Sequence, residues 1–426
     1  MLQGLSSARN IRPGDRIEVA PSLLVLPARH AQAVLIELGK TPTRVADPRR
    51  VIWFHDSNLP AADAPTANER LSLIKLAREI GLEPGFAAAG SEVPWLVHSG
   101  RLLPGDSCVG AGPEMATVGG LSALGLRATY RDLASMLAGN PLQLTVPQSI
   151  KVQLTGRLSA STGGADLFWA IVNDVGYDNL AGRALEISGQ GLTGLSLSTR
   201  LALASYAALA GLFAVYLTPD STLVAEVNKR LAENVDAASR RPYETHAAEP
   251  GAAYALSKSL DLSKVQPAVA GARGTGQTCL AGELAGERIN RVIIGGIAGG
   301  TVEALRVVAA RLKGKRAAAG VSLEILPASA HAYQAALSDG LLSTFLEAGA
   351  TIQVPGSQTQ LGLPQPSQRW LTTLSMNAPG KSGAGEHWLC SPVTAIASAV
   401  AGHVVNPDSP EVFIVRDSKH SARRTR

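Results

Sequence analysis

The chain is poor in cysteine and in aromatic residues. Three cysteines, Cys108, Cys279 and Cys390, lie far apart among 426 residues, and no CxxC pair occurs. An odd and scattered set of this kind excludes a disulfide framework and a cysteine-based zinc site. Phe, Trp and Tyr make up only 4% of the chain, whereas Ala and Gly are abundant. The cores must therefore be built from small aliphatic side chains, as in helices packed closely on sheets.

The chain also lacks a targeting segment and a membrane-length apolar run. Its first residues, MLQGLSSARNIRPGD, contain no apolar stretch of the signal-peptide kind, so a cytoplasmic location is expected by default. One apolar stretch, residues 201–217, is interrupted by Ser205, Tyr206 and Gly211. A membrane span needs about 20 apolar residues. We therefore expect a buried helix here that ends before Pro219.

Strong charge of one sign is absent from the body of the chain. The net charge is +5, but residues 416–426 hold five basic residues and one acidic residue, a net of +4. No aromatic and basic residues alternate as they do in nucleic-acid-binding segments. We interpret the tail as disordered and solvated, and expect neither a nucleic acid nor a membrane as partner.

Short apolar runs that alternate with helical patterns predict an α/β fold. In the clearest unit, a strand at 291–294, a turn at 295–300 and a helix at 301–313 precede a second strand at 321–326. A buried strand followed by a helical crossover favours a parallel sheet covered on both faces. Residues 236–287 are polar and rich in turns, which is typical of a boundary. The other predicted segments are a strand at 51–54, helices at 69–80, 130–137, 331–348 and 393–405, and a strand at 351–354.

The glycines of residues 295–300 allow two interpretations. They lie between a strand and a helix, as in a dinucleotide-binding turn. Their spacing is G-G-x-x-G-G rather than G-x-G-x-x-G, and no acidic residue follows at the expected place. Simple turn geometry is favoured, although the free amides of a helix N-terminus can hold an anion in any case.

Several motifs together indicate a family. The chain has L-P-G at 103–105, V-G-A at 109–111, G-G-L at 119–121, D-L-A at 132–134, a V-P…G run at 146–156 and S-P at 391–392. Their order and spacing over almost the whole chain resemble the aconitase and 3-isopropylmalate dehydratase large-subunit family. The resemblance implies an aconitase-like α/β fold of three α/β/α domains, which we place at residues 1–198, 199–287 and 288–415, before the basic tail of residues 416–426. It also implies that the swivelling small domain comes from another polypeptide or is absent.

The resemblance locates the family's iron–sulfur ligands, and this chain has none of them. Residues 291–313 are similar to the segment that supplies the first cluster thiolate, and Ile297 stands at the cysteine. Residues 355–362, PGSQTQLG, are similar to the loop that supplies the other two, and Ser357 and Gln360 stand there. Isoleucine and glutamine provide no thiolate for iron. We therefore predict that the cluster is absent; a divalent cation is not excluded.

Most other positions to which the resemblance assigns chemistry are also replaced. The family's D-S-H-T run is represented by residues 112–115, which include Glu114, and a family histidine falls near Glu92 or Val93. On one helix Arg200 is kept, but Ser205 and Leu209 replace an asparagine and a glutamate. The arginine clamp for substrate carboxylates is represented by residues 375–381, with Met376 and Lys381 at the arginines. Lysine does not reproduce the bidentate hydrogen bonding of arginine to a carboxylate. The family's Asp-His pair has a counterpart in His55, Asp56, Ser57 and Asn58.

Two functions follow from this replacement. In the first, the chain is a repurposed enzyme without a cluster, a lyase, isomerase or cyclase acting on a small carboxylic acid by acid–base chemistry. Its predicted catalytic residues are His55, Asp56, Glu114 and Lys381; Asn58, Cys108, Ser375 and Asn377 are predicted to bind substrate. In the second, the chain is a non-catalytic subunit that binds a partner subunit or ligand. Each residue also has a structural interpretation: Glu114 and Lys381 as solvated loop charges, His55-Asp56 as a capping turn, and Cys108 as a small buried filler.

Overall fold

The computed structural model describes residues 1–38, 44–54, 61, 63–82, 90–207, 210–235, 240–249, 251–271, 274–357, 361–375 and 384–409. The strands are β1 (Arg16–Val19), β2 (Leu23–Pro27), β3 (Val51–Phe54), β4 (Ser107–Gly110), β5 (Leu124–Arg127), β6 (Leu142–Thr145), β7 (Ser149–Thr155), β8 (Ala184–Ser188), β9 (Ala214–Leu217), β10 (Leu256–Asp261), β11 (Ala268–Gly271), β12 (Gly274–Leu280), β13 (Arg291–Gly295), β14 (Ser322–Leu326), β15 (Thr351–Ile352), β16 (Arg369–Thr372) and β17 (Glu386–Cys390). The helices are α1 (Ala28–Leu38), α2 (Ala64–Glu79), α3 (Glu92–His98), α4 (Tyr130–Leu137), α5 (Gly164–Val175), α6 (Tyr177–Leu180), α7 (Leu197–Ala207), α8 (Ser221–Asn234), α9 (Gly296–Gly299), α10 (Val302–Leu312), α11 (Ala330–Ser338), α12 (Leu341–Glu347) and α13 (Pro392–Ala401).

Three sheets organise the molecule, which confirms the predicted α/β class. The first has the order β3-β2-β4-β5 and the second the order β10-β7-β8-β9; all of their strands run parallel. The third has the order β12-β11-β17-β16-β13-β14-β15, with β13 to β17 parallel and the β11–β12 hairpin antiparallel at one edge. A separate antiparallel ribbon joins β1 to β6. Parallel strands need crossover helices, which accounts for the alternation along the chain.

Sheet membership divides the chain differently from the expected boundaries at 198 and 287. Strands β7 and β8 come before residue 198, yet they pair with β9 and β10, which come after it. The hairpin of β11 and β12 comes before residue 287 but joins the third sheet through β17. The polar stretch 236–287 therefore carries three strands in addition to the extended residues 240–249.

The predicted helix at 201–217 needs a correction. Helix α7 ends at Ala207, and residues 214–217 form β9 instead. Gly211 lies between them with φ +64, a left-handed conformation that glycine adopts without steric cost. The strand sequence AVYL is rich in β-favouring residues. Among the described residues, no helix has both the length and the apolarity to cross a bilayer.

Candidate active site at the carboxyl edges of the sheets

The first sheet has a topological switch point between β2 and β4. The chain leaves β2 towards β3 on one side, and then crosses to β4 on the other. Ligands of open parallel sheets bind at such a crevice, outside the carboxyl ends of the strands. Arg29 and His30 follow β2 directly, and Glu114 follows β4 by four residues. This sheet therefore places three ionisable residues at the position where a ligand is expected.

The third sheet brings a second switch point to the same region. Strand β13 has β14 on one side and β16 on the other, so Ile297 and Ser375 follow strands that flank the crevice. Segments that follow the two sheets meet here, because the amide of Ser91, just before α3, donates to the carbonyl of Ala328, just after β14, at 2.8 Å. The two carboxyl edges thus form one cleft.

A 3-10 helix, Pro113–Leu121, carries Glu114. Two of its glycines allow its backbone to pack directly against the backbone of neighbouring segments. An added Cβ at Gly119 would collide with the carbonyl of Val215, and one at Gly120 would meet the backbone of Arg200 at 2.7 Å. Glycine is required where two backbones approach this closely. The G-G-L motif therefore anchors the segment that presents Glu114.

Arg29 links two carboxylates in the cleft. Its Nη2 donates to Glu92 Oε1 at 2.7 Å and also to Glu114 Oε1. Glu92 is almost fully buried, with 4% of its side chain exposed, whereas the side chains of Arg29 and Glu114 are 27% and 25% exposed. A buried carboxylate needs such a partner, because taking an unpaired charge out of water is costly.

These contacts fix the ionisation of Glu114. Burial alone would raise its pKa, but the neighbouring His30 imidazole and the positive charge of Arg29 hold the pKa at about 2. A carboxyl group of this kind stays ionised at neutral pH and only accepts hydrogen bonds. Gly112 lies against this carboxylate, where an added Cβ would overlap the carboxylate oxygens.

His30 lies between Glu114 and Tyr130. Its Nδ1 is 3.1 Å from the hydroxyl of Tyr130, and its Nε2 is 3.8 Å from Glu114 Oε1. The second distance is an electrostatic contact rather than a hydrogen bond. Tyr130 is the first residue of α4, whose start is fixed by a capping box between Thr129 and Asp132. A carboxylate, an imidazole and a phenol thus follow one another in the cleft.

Of the eight residues predicted for the site, three are described. Glu114 lies in the cleft, and Ser375 follows β16 at the second switch point. Cys108 is fully buried within β4, and burial raises the pKa of its thiol to about 12. A neutral, enclosed thiol of this kind favours the filler interpretation over contact with substrate. The other five, His55, Asp56, Asn58, Asn377 and Lys381, lie outside the described residues.

The residues that we predict at the family's cluster positions do not fit an iron–sulfur cluster. The Ile297 side chain packs against a hydrophobic core, and the buried Ser357 hydroxyl donates to the carbonyl of Val354 at 2.6 Å. Gln360 lies outside the described residues. A cluster is held by cysteine thiolates, and neither of the two described residues can supply one.

The cysteines present elsewhere do not replace these ligands. Cys279 and Cys390 flank Val269 on β12 and β17, two strands apart and thus about 9–10 Å from each other. Cys108 belongs to the first sheet, and all three thiols are buried. Within the described ranges, no group of three or more His, Cys, Asp or Glu side chains is arranged to hold a metal ion.

Sequence reasoning missed several of these features. Arg29, His30 and Tyr130 were not predicted, although two polar residues directly after a buried strand are a usable signal in an α/β chain. His98 and His331 were also not predicted as a pair, yet their rings stack at 3.5 Å between centroids with an interplanar angle of 18°. They line a cavity of about 40 Å³ next to Arg230. Such a pair, 233 positions apart in the sequence, carries no local signal.

Comparisons with known proteins agree with this architecture. The sequence profile of the aconitase family (aconitate hydratase) matches residues 79–286 and 277–402. The 3-isopropylmalate dehydratase large subunit 2 of Rubrobacter xylanophilus is 31% identical over 412 residues, 95% of each chain. The large subunit of Moorella thermoacetica is 30% identical over 417 residues, 96% of this chain and 97% of that one. A solved structure, Thermococcus kodakaraensis aconitase X in its holo-form, covers 87% of this chain and 86% of that one, at 10% identity and a TM-score of 0.48. By the profile match and the two dehydratase large subunits, the chain belongs to the aconitase family.

Proposed function

We propose that this protein is a lyase-type enzyme of the aconitase family that works on a small hydroxycarboxylic acid without an iron–sulfur cluster. Proton transfer in the cleft replaces the Lewis acid that would otherwise activate the leaving hydroxyl group. Isomerase and cyclase reactions use the same proton transfers and belong to the same proposal. The observation that supports it is the set of ionisable side chains Arg29, His30 and Glu114 at the β2–β4 switch point.

The substrate class follows from the relatives and from charge. The 3-isopropylmalate dehydratase large subunits are named for a small hydroxydicarboxylic acid. In this chain Arg29 is already engaged by Glu92 and Glu114. We therefore assign the substrate carboxylate to the loop after β16, with Lys381 as a point charge and with Ser375 and Asn377 as hydrogen-bonding residues. His55, Asp56 and Asn58, which follow β3 in the sequence, are the other residues that we assign to catalysis and substrate binding.

A partner and a location are part of the proposal. Because the relatives are large subunits, a small subunit is the expected partner that closes the cleft. We retain the cytoplasmic location, and also the expectation that neither nucleic acid nor membrane is a partner.

One experiment tests the proposal. The protein, purified anaerobically with any copurifying small subunit, is analysed for iron and acid-labile sulfide. It is then incubated in D2O with a panel of 2- and 3-hydroxycarboxylic acids that includes 3-isopropylmalate. Proton NMR should show enzyme-dependent exchange of a carbon-bound hydrogen in at least one compound, with substoichiometric iron. Glu114→Gln and His55→Asn should each slow it by about 10²-fold or more. Stoichiometric iron and sulfide would overturn the cluster-free mechanism.

The engagement of Arg29 by two carboxylates also favours the second function, a non-catalytic subunit. In that case no panel member exchanges, and a copurifying small subunit binds the Glu114→Gln variant as tightly as the wild type. If the wild type exchanges a carbon-bound hydrogen and the Glu114→Gln variant does not, the non-catalytic function is excluded.

A further inference from the structure

We infer that Glu114, His30 and Tyr130 form a proton relay in which the hydroxyl of Tyr130 is the group that exchanges a proton with the substrate. The inference rests on the proposed function and names the residues of its acid–base step. Glu114 was predicted as a catalytic residue; in the relay it is a positioning residue that acts through His30.

The direction of the relay follows from hydrogen-bonding chemistry. Glu114 is ionised and can only accept, so the nitrogen of His30 that faces it, Nε2, carries the proton. A neutral imidazole then presents Nδ1 as an acceptor, and the phenol of Tyr130 is its donor at 3.1 Å. This order of carboxylate, imidazole and hydroxyl is the arrangement that activates a hydroxyl in hydrolytic triads.

The exposed end of the relay is Tyr130. Tyr130 is 40% exposed as a residue, whereas the side chain of His30 is 19% exposed. A substrate in the cleft can therefore reach the phenol oxygen more readily than either ring nitrogen. The 3.8 Å gap between His30 and Glu114 is of the kind that shortens when a substrate binds, since catalytic hydrogen bonds are commonly long in unliganded sites.

The proton balance of the step is closed. As the Tyr130 oxygen takes the carbon-bound proton of the substrate, its own proton passes to His30 Nδ1, and the resulting imidazolium is stabilised by Glu114. The substrate's electron pair forms the double bond and expels the hydroxyl group. The hydroxyl of Tyr130 then gives a proton to the departing oxygen, which leaves as water, and the proton on His30 Nδ1 returns to the Tyr130 oxygen. The step needs no further oxidant, reductant or co-reactant.

Other charged groups near His30 are consistent with this assignment. Arg29 is shared between Glu92 and Glu114, and on α4 Arg131 lies 3.5 Å from Glu37 while Asp132 caps its own helix. Among the described residues, Tyr130 faces Nδ1 of His30 and Glu114 faces Nε2.

The test uses the full-length protein and has one readout that needs no substrate. Nitrogen-15 NMR of the histidine rings should show His30 protonated at Nε2 and unprotonated at Nδ1.

The D2O exchange assay is then run on Tyr130→Phe and on His30→Ala with and without added imidazole. Tyr333→Phe, a change on α11, which packs against the core beside the third sheet, is the matched control. We expect Tyr130→Phe to lose about 10²-fold or more of the exchange rate with unchanged thermal unfolding. His30→Ala should be partly rescued by imidazole, and Tyr333→Phe should match the wild type.

The outcomes separate the relay from the proposed function. A His30 protonated at Nδ1, with Nε2 free, overturns the relay whatever the activity. Exchange within about threefold of wild type in Tyr130→Phe overturns the role of Tyr130 but leaves the enzyme proposal standing. Absence of exchange by the wild type on the whole panel overturns both. The expected tautomer together with selective loss in the Tyr130 and His30 variants supports both.

Discussion

The guanidinium of Arg29 donates a hydrogen bond to the buried carboxylate of Glu92, with 2.7 Å between Nη2 and Oε1. The same nitrogen contacts Glu114, so one cation from the first turn of α1 pairs with two carboxylates that follow it by 63 and 85 residues. This pairing stabilises the buried charge of Glu92 and, together with His30, favours the ionised form of Glu114.

Replacing Arg29 with Gln should therefore have two measurable effects. The buried Glu92 loses its cationic partner, and the free energy of unfolding should fall by about 3–5 kcal/mol, the usual cost of breaking a buried pair. The pKa of Glu114 should rise from about 2, because Arg29 is one of the groups that lower it. Urea unfolding and carbon-13 NMR titration of the carboxyl groups measure these effects. Arg49→Gln is the control, since its side chain is 90% exposed; an equal loss of stability there would contradict the prediction.

Replacing Gly112 with Ala should displace Glu114 without unfolding the protein. The added methyl group would overlap the Glu114 carboxylate, which is the end of a flexible side chain and can turn away. We expect the pKa of Glu114 to rise, while the free energy of unfolding changes by less than about 0.5 kcal/mol. The same NMR titration measures the first effect and urea unfolding the second. Gly4→Ala, at a position with open space around it, is the control.

Alanine at Gly119 or Gly120 should instead destabilise the fold. At both positions the new methyl group meets backbone atoms, of Val215 and of Arg200, which cannot move aside as a side chain can. Overpacking of this kind lowers the free energy of unfolding by about 1–3 kcal/mol. The urea midpoint should therefore fall, while the dependence of the free energy of unfolding on urea concentration stays the same. A variant at either position as stable as Gly4→Ala would show that the 3-10 helix is not anchored through these contacts.

The stacked histidines predict a pH dependence of stability. Burial, and then the neighbouring charges, lower the pKa of His98 from 6.5 to about 4, and the pKa of His331 is also lowered. The unfolded chain therefore binds more protons than the folded one between about pH 6.5 and 4, so the free energy of unfolding should fall as pH falls through this range. Arg230, paired with Glu226 and Glu303, faces both rings.

Urea unfolding at pH 7.0 and at pH 5.0 measures this effect. His98→Gln should reduce the difference between the two values, whereas the exposed His246→Gln should leave it unchanged. Part of the difference between the two pH values should remain in His98→Gln, because burial also lowers the pKa of His387 to about 4. If His98→Gln shows the same difference between pH 7.0 and pH 5.0 as the wild type, the prediction is contradicted.

Local signals decided how well each element could be predicted. Helix α4 begins and ends at the residues predicted from its pattern, since Thr129 and Asp132 form a capping box within four residues of sequence. The predicted helix at 331–348 is two helices, α11 and α12, because Gly340 adopts a positive φ of 70° between them. The apolar run at 201–217 was read as one helix, because composition alone does not separate a buried helix from a buried strand.

The sequence by itself determined the α/β class and the family, because these depend on residue types and on motif order, and it led us to predict that cysteine is replaced at Ile297, Ser357 and Gln360. Only the tertiary structure decided that Arg29 joins Glu92 to Glu114, and that His30 lies between Glu114 and Tyr130. Those contacts arise from strand order: β2 and β4 are neighbours in the sheet although β3 comes between them in the chain. Side chains far apart in the sequence are then brought into contact at one crevice, and no local sequence pattern predicts this contact.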